Sequence, residues 1–168
     1  MKLTIFKTLA AAALLAGVGG TAAVYAKAAP ILQTLANRPA AGVVRVHSLY
    51  GFDETVDRIK ADVAAKGIKF FTEFDQSKLG EGANIKIPRS KLLMFGNPPL
   101  GVQFLSANPY AGLDWPVRML VIEDADGTVW VAWTDFTYIK QRYKLTGRDA
   151  AIKMATEVSA SIASSVTK

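Results

Sequence analysis

Residues 92–133 read LLMFGNPPLGVQFLSANPYAGLDWPVRMLVIEDADGTVWVAW, and they hold most of the predicted β-sheet. Lys91–Phe95 is a short apolar run that fits a buried strand. Val117–Ile122 and Thr128–Asp135 are rich in β-branched and aromatic residues, and Asp126-Gly127 between them is a strong hairpin signal. The stretch therefore predicts three strands, of which the last two pair antiparallel.

Two further strands and a helix precede this stretch. Val43–Ser48 is β-branched, and Ile68–Asp75 alternates its side chains with a period of two, so both segments fit strands. Between them, Asp53 can cap the start of a helix and Gly67 can end it. The predicted helix carries an apolar stripe at helical spacing, which consists of Phe52, Val56, Ile59 and Val63.

After the hairpin, Arg148–Thr167 carries a second apolar stripe and predicts a C-terminal helix of about five turns. Residues 76–89 are expected to form a polar loop, because they contain Gly80, Gly82 and Pro88. The resulting order is strand, helix, four strands, helix. This order is typical of an α+β domain with a mainly antiparallel sheet and both helices on one face. Residues 43–168 are long enough for a single domain of this kind.

The first 26 residues predict a secretory signal peptide. Lys2 and Lys7 precede an uncharged, Ala-rich stretch over residues 8–26, and small residues allow cleavage after Ala26 or after Ala28. Retention as a membrane anchor is the alternative, because a spanning helix needs about 20 mostly apolar residues. Residues 27–42 are expected to be a linker. The mature domain is then exported to the periplasm or the medium, and it meets a membrane only if the segment stays uncleaved.

Charge and composition exclude several classes of function. The chain has 20 Lys+Arg against 14 Asp+Glu, a net charge of +6. Cleavage after Ala26 removes two lysines and no acid, which leaves 18 against 14, or +4. No basic block with interleaved aromatic residues is present, so nucleic acid is not an expected partner. Because the chain has no cysteine and one histidine, thiolate chemistry is excluded, and we predict no metal and no cofactor.

Two short motifs resemble a known family. Phe95-Gly96-Asn97-Pro98 ends one predicted strand, and Asp114-Trp115-Pro116 begins the next. Together with their flanking strands, they resemble the domain-of-unknown-function 302 family over Val43–Tyr143. The resemblance implies a TBP-like α+β fold with the order strand-helix-four strands-helix, and it suggests a homodimer. It implies no established activity.

Four polar residues form the candidate ligand-binding set: Asp75, Asn97, Asp114 and Arg118. Arg118 could clamp a carboxylate bidentately, and the rigid turn at Asn97 could present its amide and free N–H groups to an anion or carbonyl. Each candidate also has a structural alternative. Asp75 can cap a turn, the Asn97 side chain can bond nearby backbone, and Asp114 can pair with Arg118. Gln76 follows Asp75 where members of the family usually have histidine.

Trp130 and Trp133 are predicted to lie near an interface. They are three residues apart, so they lie on opposite faces of their strand. One face packs on the helices, and the other needs a second subunit, a ligand or residues 97–113 to cover it. We therefore expect a homodimer. His47 is expected to be an ordinary strand residue, because no second His or Cys could complete a transition-metal site with it.

The sequence contains no recognisable enzyme motif, so it favours a non-catalytic module of the cell envelope. Such a module would bind a small anionic or carboxylate ligand, or a partner. The alternative is an enzyme in which Asp75 and Asp114 carry out carboxylate chemistry while Asn97 or Arg118 holds an oxyanion. The enzyme requires all four candidate side chains to converge in one pocket, which distinguishes the two hypotheses.

Overall fold

The computed structural model describes residues 40–168. The predicted signal peptide, both cleavage points and residues 27–39 of the predicted linker lie outside this range. The described chain forms a five-stranded antiparallel sheet with the order β1-β5-β4-β3-β2. Its strands are β1 (Val43–His47), β2 (Lys69–Asp75), β3 (Ser90–Gly96), β4 (Val117–Glu123) and β5 (Val129–Thr134). The predicted α+β class and antiparallel sheet are confirmed.

Five α-helices accompany these strands within residues 40–168. They are α1 (Phe52–Ala65), α2 (Gln76–Gly82), α3 (Pro98–Ala107), α4 (Phe136–Tyr143) and α5 (Asp149–Ala163). Short 3-10 helices cover Pro109–Asp114 and Ser164–Val166. The sequence predicted α1 and α5 but not the other three. Each missed helix has ten residues or fewer, so it makes at most about three turns and shows little periodicity.

The ends of α1 are set by glycines. Gly67 follows the helix with a φ of +63°, as its predicted role as a helix stop requires. The predicted cap by Asp53 is wrong, because Gly51 occupies the N-cap position and no side chain caps the helix. Asp53 instead lies in the first turn, where a carboxylate favours the positive end of the helix dipole, and it pairs with Arg89 at 2.5 Å.

The main core lies between one face of the sheet and helices α1 and α5. All four residues of the α1 stripe are buried, and alternating residues of the central strands meet them. These strand residues are Leu93, Phe95, Met119, Val121, Val129, Val131 and Trp133. Ile162 of α5 and Val166 beyond it complete the cluster. Because full burial of one such side chain stabilises the fold by about 1.5–3 kcal/mol, this layer is the main stabilising element.

A second apolar cluster lies at the end of the sheet where β3 ends and β4 begins. There α3, α4 and α5 meet through Phe104, Phe136, Ile139, Tyr143, Leu145, Ala151, Ile152 and Ala155. We call this end of the sheet the motif end, because both family motifs lie there. The opposite end, where β2 ends and β3 begins, is called the loop end, after the connecting residues 76–89.

The face of the sheet that points away from the main core is called the outer face. It carries the remaining alternate residues of the strands, among them Phe74, Leu92, Met94, Leu120, Ile122 and Trp130. None of these residues belongs to either apolar cluster, and Phe74 is 48% exposed. Within residues 40–168, no helix has the length and apolar character needed to cross a membrane.

Candidate functional site

The two family motifs meet at the motif end. Phe95 and Val117 are partners in the β3–β4 pairing, so the chain leaving β3 and the chain entering β4 run side by side. The ring of Trp115 lies against Gly101 of α3. A Cβ added to Gly101 would lie 1.9 Å from Nε1 of Trp115, so only glycine fits at this position.

A small cleft of about 30 Å³, open to solvent at its mouth, lies beside Trp115. Its wall is apolar and comes from β3, α3, β4, α4 and α5, with Leu100, Phe104, Phe136 and Val158 among the lining residues. The polar side chains that line it are Asn97 and Ser159. Asn97 is exposed, whereas Ser159 is only 2% exposed. An apolar wall with few polar groups is the usual composition of a small-molecule site.

Asn97 lies at the N-cap of α3, but its side chain makes no capping hydrogen bond. The structural alternative for this residue, a bond to the adjacent helix, is therefore absent. Residues 98–101 supply none of the free N–H groups that were expected of the turn. Pro98 and Pro99 have no N–H, and the N–H groups of Leu100 and Gly101 donate to the Asn97 carbonyl at 3.0 and 2.9 Å. The side-chain amide of Asn97 is thus the polar side-chain group that this turn offers to a ligand.

Asp114 is held by three donors at the motif end. Its side chain is only 7% exposed, and it accepts hydrogen bonds from Arg118, from Arg142 at 3.4 Å and from the Tyr143 hydroxyl at 2.6 Å. The same hydrogen bond to Asp114 raises the pKa of Tyr143. Arg118 also donates to the Leu113 carbonyl at 2.6 Å. Asp114 and Arg118 therefore form the ion pair that was given as their structural alternative to ligand binding.

One positive charge remains in this cluster. Two guanidinium groups, those of Arg118 and Arg142, share the single carboxylate of Asp114, and their side chains are 40% and 51% exposed. Each can therefore still turn donors toward solvent while it bonds Asp114. The cluster can therefore attract an anion without first giving up its own carboxylate. Neither Asp114 nor Arg118 lines the cleft beside Trp115, and Arg118 lies beside Leu92 and Leu120 on the outer face.

Asp75 lies at the loop end, away from the other candidates. It pairs in register with Lys91 at the beginning of β3, whereas Asn97 follows the end of that strand. Six residues of strand separate the two positions along β3, a distance of about 20 Å. Asp75 caps α2 by accepting hydrogen bonds from the Ser77 hydroxyl at 2.6 Å and the Lys78 N–H at 3.1 Å. The Ser77 bond, followed by the backbone bond from Lys78, lowers the pKa of Asp75.

The two tryptophans of β5 do lie on opposite faces of the sheet. Trp133 packs in the main core of the same chain and is 8% exposed, so its ring lies on the face that the helices cover. Trp130 lies on the outer face, where its Nε1 donates to Asp124 at 3.0 Å and the Arg45 guanidinium sits 4.1 Å from its ring centroid. His47 makes an edge contact with Trp130, with ring centroids 5.5 Å apart.

Several residues that α3 and α4 contribute to this end were not predicted from the sequence. Arg142 and Tyr143 come from α4, for which a short signal exists. Asp135 is a capping residue that accepts the Thr137 N–H at 2.8 Å, and Phe136 and Ile139 then begin an apolar stripe that Tyr143 completes. Gly101 carries no comparable signal, because its role depends on Trp115 from another element. Within residues 40–168, no group of three or more His, Cys, Asp or Glu side chains is arranged to hold a metal ion.

Residues 44–165 match the family described as domain of unknown function DUF302. The crystal structure of an uncharacterized conserved DUF302 protein from Bacillus stearothermophilus is similar in fold, with a TM-score of 0.69 at 16% sequence identity. That similarity covers 76% of this chain and 99% of the other.

Curated relatives are longer proteins. Proteins named fluoride-specific ion channel FluC 1 in Brucella suis biovar 1 (strain 1330) and Brucella abortus biovar 1 (strain 9-941) are each 34% identical to this chain over 113 residues. The match covers 67% of this chain, but 44% of the first relative and 42% of the second. The chain therefore spans less than half of the length of these relatives.

Proposed function

The chain belongs to the DUF302 family, and we propose that it is a non-catalytic binding module of the cell envelope with its ligand site at the motif end. The observation that carries this proposal is the apolar cleft beside Trp115, which Asn97 lines with an amide that does not cap α3. The ligand we propose is a small molecule that inserts one small apolar group into this cleft and keeps a carboxylate or another anionic group at its mouth.

The arrangement of carboxylates supports binding over catalysis. Asp75 and Asp114 lie at opposite ends of the sheet, so they cannot act on one substrate as an acid–base pair. Asp114 already accepts from three donors, and Arg118 is bonded to Asp114 and to the Leu113 carbonyl. A general base or oxyanion holder must have a hydrogen-bonding position free to face the reacting atoms. The existing hydrogen bonds of Asp114 and Arg118 occupy positions that the enzyme hypothesis would need.

The chemistry of the cleft supports the ligand class. Apolar side chains such as Leu100, Phe104 and Val158 favour a hydrocarbon or ring, because apolar burial stabilises a complex by about 25 cal/mol per Å². An amide such as that of Asn97 can both donate to and accept from a polar group at the mouth. Arg118 and Arg142 do not line the cleft, but their excess positive charge favours the approach of an anion to this end over that of a neutral or cationic group.

Two further observations support a location in the envelope. The N-terminal segment has the charge and apolar pattern of an export signal. The curated relatives are named as ion channels, and ion channels act in membranes. A module that works beside a membrane transport protein is therefore the second candidate function that we propose.

A ligand screen tests the proposal directly. The chain is screened by thermal shift against small aliphatic and aromatic carboxylates and their amides. A ligand that binds only the folded state stabilises it by about 2.7 kcal/mol at 100 times its Kd. We expect a carboxylate to raise the Tm, and we expect Asn97→Ala and Val158→Phe to reduce that shift, because the first removes the amide and the second fills the cleft.

His47→Ala is the control for this screen, because His47 lies on the outer face and is absent from the cleft. It should bind the ligand like the unmodified chain. A shift that His47→Ala abolishes and Asn97→Ala leaves unchanged would contradict the proposed site. Turnover of any screened carboxylate would favour the enzyme instead.

We also propose that the module is a homodimer that buries its outer face. Leu92, Leu120 and Ile122 lie near the middle of that face and are only half-buried in the single chain. Two such sheet faces can pack about 10 Å apart with interdigitating side chains. Sedimentation at micromolar concentration should show a dimer, and Leu120→Lys should shift it to monomer while Met154→Lys, on the exposed surface of α5, should not. A monomeric unmodified chain would contradict this.

A further inference from the structure

We propose that residues 78–87 at the loop end form a docking segment for the surface of an anionic lipid bilayer. In this segment, exposed aliphatic side chains enter the headgroup region and two lysines face the lipid phosphates. The inference rests on the envelope location in the proposed function, but it concerns a different end of the molecule from the ligand cleft.

The segment exposes more apolar surface than a polar loop would. Leu79 is 67% exposed, Ile85 is 61% exposed and Ile87 is 39% exposed. The sequence predicted a polar loop here on the strength of Gly80, Gly82 and Pro88. That prediction is wrong for residues 76–82, which form α2, and it overlooked the aliphatic residues between the glycines.

These side chains are held outward by a folded backbone. The Ile85 N–H donates to the Gly80 carbonyl at 2.8 Å, and Asn84 takes up the left-handed conformation with a φ of +58°. A Cβ at Gly80 would lie 2.6 Å from the Ile85 oxygen and 3.2 Å from Cγ1 of Ile87, so glycine lets the segment fold back over α2. The segment therefore need not become ordered when it docks, which lowers the entropic cost of docking.

The charges beside the aliphatic residues favour an anionic surface, because the segment has two lysines against the single acidic residue Glu81. Lys78 precedes Leu79, and Lys86 lies between Ile85 and Ile87; both lysines are exposed. Neither makes an ion pair with an acidic side chain in the part of the chain that the structure describes. A lysine stem can lie along apolar surface while its ammonium group stays among the phosphates.

A lipid surface fits this segment better than a protein partner does. The segment has no aromatic residue and no arginine, which are the residues enriched at protein interfaces, and lysine is depleted there. Amphipathic helices that lie in the bilayer interface combine apolar side chains with lysines on their polar face, and this segment presents aliphatic residues and lysines side by side. The outer face, which carries the large aromatic side chains of Trp130 and Phe74, is better suited to a second copy.

Site-specific labels test insertion of residues 78–87 separately from any membrane binding by the N-terminal residues. Because the chain has no cysteine, Leu79→Cys and Ile85→Cys can each carry a single environment-sensitive fluorophore. Met154→Cys on α5, which replaces a 52% exposed side chain, is the matched control. With vesicles of mixed phosphatidylglycerol and phosphatidylcholine, we expect a blue shift and a gain in emission at positions 79 and 85, and no change at position 154.

Charge variants test the electrostatic part. Each lysine near an anionic surface contributes about fivefold in affinity, so Lys78→Gln with Lys86→Gln should weaken binding by about 25-fold. Glu81→Gln removes the acidic residue of the segment, so it should strengthen binding by about fivefold. Lys153→Gln, on the exposed surface of α5, should change nothing. These variants carry the label at position 85.

Three results would overturn the proposal. The first is an absence of any change at positions 79 and 85 with anionic vesicles. The second is an equal change at position 154, which would mean non-specific adsorption. The third is a concentration-dependent change without vesicles, which would identify a second copy as the occupant. The carboxylate screen uses no lipid, so failure of one test leaves the other unaffected.

Discussion

The motif end and the loop end each place an aspartate beside a strand, but the two carboxylates have different structural roles. Asp114 is buried and accepts hydrogen bonds from Arg142 and Tyr143, which lie 28 and 29 residues further along the chain. Asp75 accepts only from residues two and three positions away. The difference shows that the role of a carboxylate at a strand end depends on the elements that fold over it.

The largest effect is expected from a substitution that disrupts the packing of the motif end. Gly101→Val should destabilise the fold by about 3 kcal/mol, because its Cβ would overlap the Trp115 ring and force overpacking. Gly82→Val in α2 is the control at the loop end, where a Cβ would meet nothing within 4 Å. Urea unfolding measures both variants. Equal losses would mean that the two ends are packed alike.

The next largest effect is expected from a substitution that removes the negative charge of Asp114 at the motif end. Asp114→Asn should destabilise the fold by about 2 kcal/mol, since it weakens charge-assisted hydrogen bonds to two arginines that remain partly exposed. Chemical unfolding at neutral pH gives the value. A loss below about 0.5 kcal/mol, the usual range for a surface site, would contradict the long-range role of this carboxylate.

A smaller effect is expected from the loop-end carboxylate. Asp75→Ala should cost about 1 kcal/mol, the typical value of a helix N-cap. Because the Ser77 hydroxyl lowers the pKa of Asp75, this contribution is complete above the ordinary aspartate pKa and is lost as the pH falls through the lowered value. The difference in unfolding free energy between the two proteins should therefore shrink in acid. A difference that grows in acid would contradict the cap.

The smallest effect is a change in titration. The hydrogen bond to Asp114 raises the pKa of Tyr143, so this phenol should be among the last of the five tyrosines to ionise. Absorbance titration should lose a late-titrating group in Tyr143→Phe. The sign of the linkage follows: the bond contributes stability below the ordinary tyrosine pKa, and that stability is lost as the pH rises through the raised value. Loss of an early-titrating group would contradict the contact.

The sheet and its two long helices could be predicted because their signals are local. The Asp126-Gly127 turn and the stripe of α1 each depend on residues within one element. The two faces of β5 also follow from strand periodicity, which placed Trp130 and Trp133 on opposite sides. The helices bury one of the two rings within the chain. The local sequence pattern does not show on which face of the sheet the helices pack, so it could not tell which ring this would be. The alternation predicted for β2 is wrong, because a register shift between Phe70 and Thr72 puts Phe70 against the core and Phe74 on the outer face.

The site could be predicted only in part, for the same reason. The motifs pointed to Asn97 and Asp114, and both lie at one end of the sheet. Asp75 was grouped with them by residue type, but antiparallel pairing carries it to the other end. The partners Arg142 and Tyr143 stayed hidden because α4 is short and its docking against Asp114 depends on the whole chain between them.

The hydrogen bond between Asp114 and Tyr143 also bears on the order in which parts of the chain fold. The two residues are 29 positions apart, and the β4–β5 hairpin and α4 lie between them. A hairpin forms in about 1–10 μs, whereas a contact across a longer loop must first overcome the entropy of closing it. We therefore expect the bond to form after the hairpin has closed and α4 has docked. Interactions made this late are absent from the folding transition state, so loss of the Tyr143 hydroxyl should speed unfolding and leave the folding rate nearly unchanged.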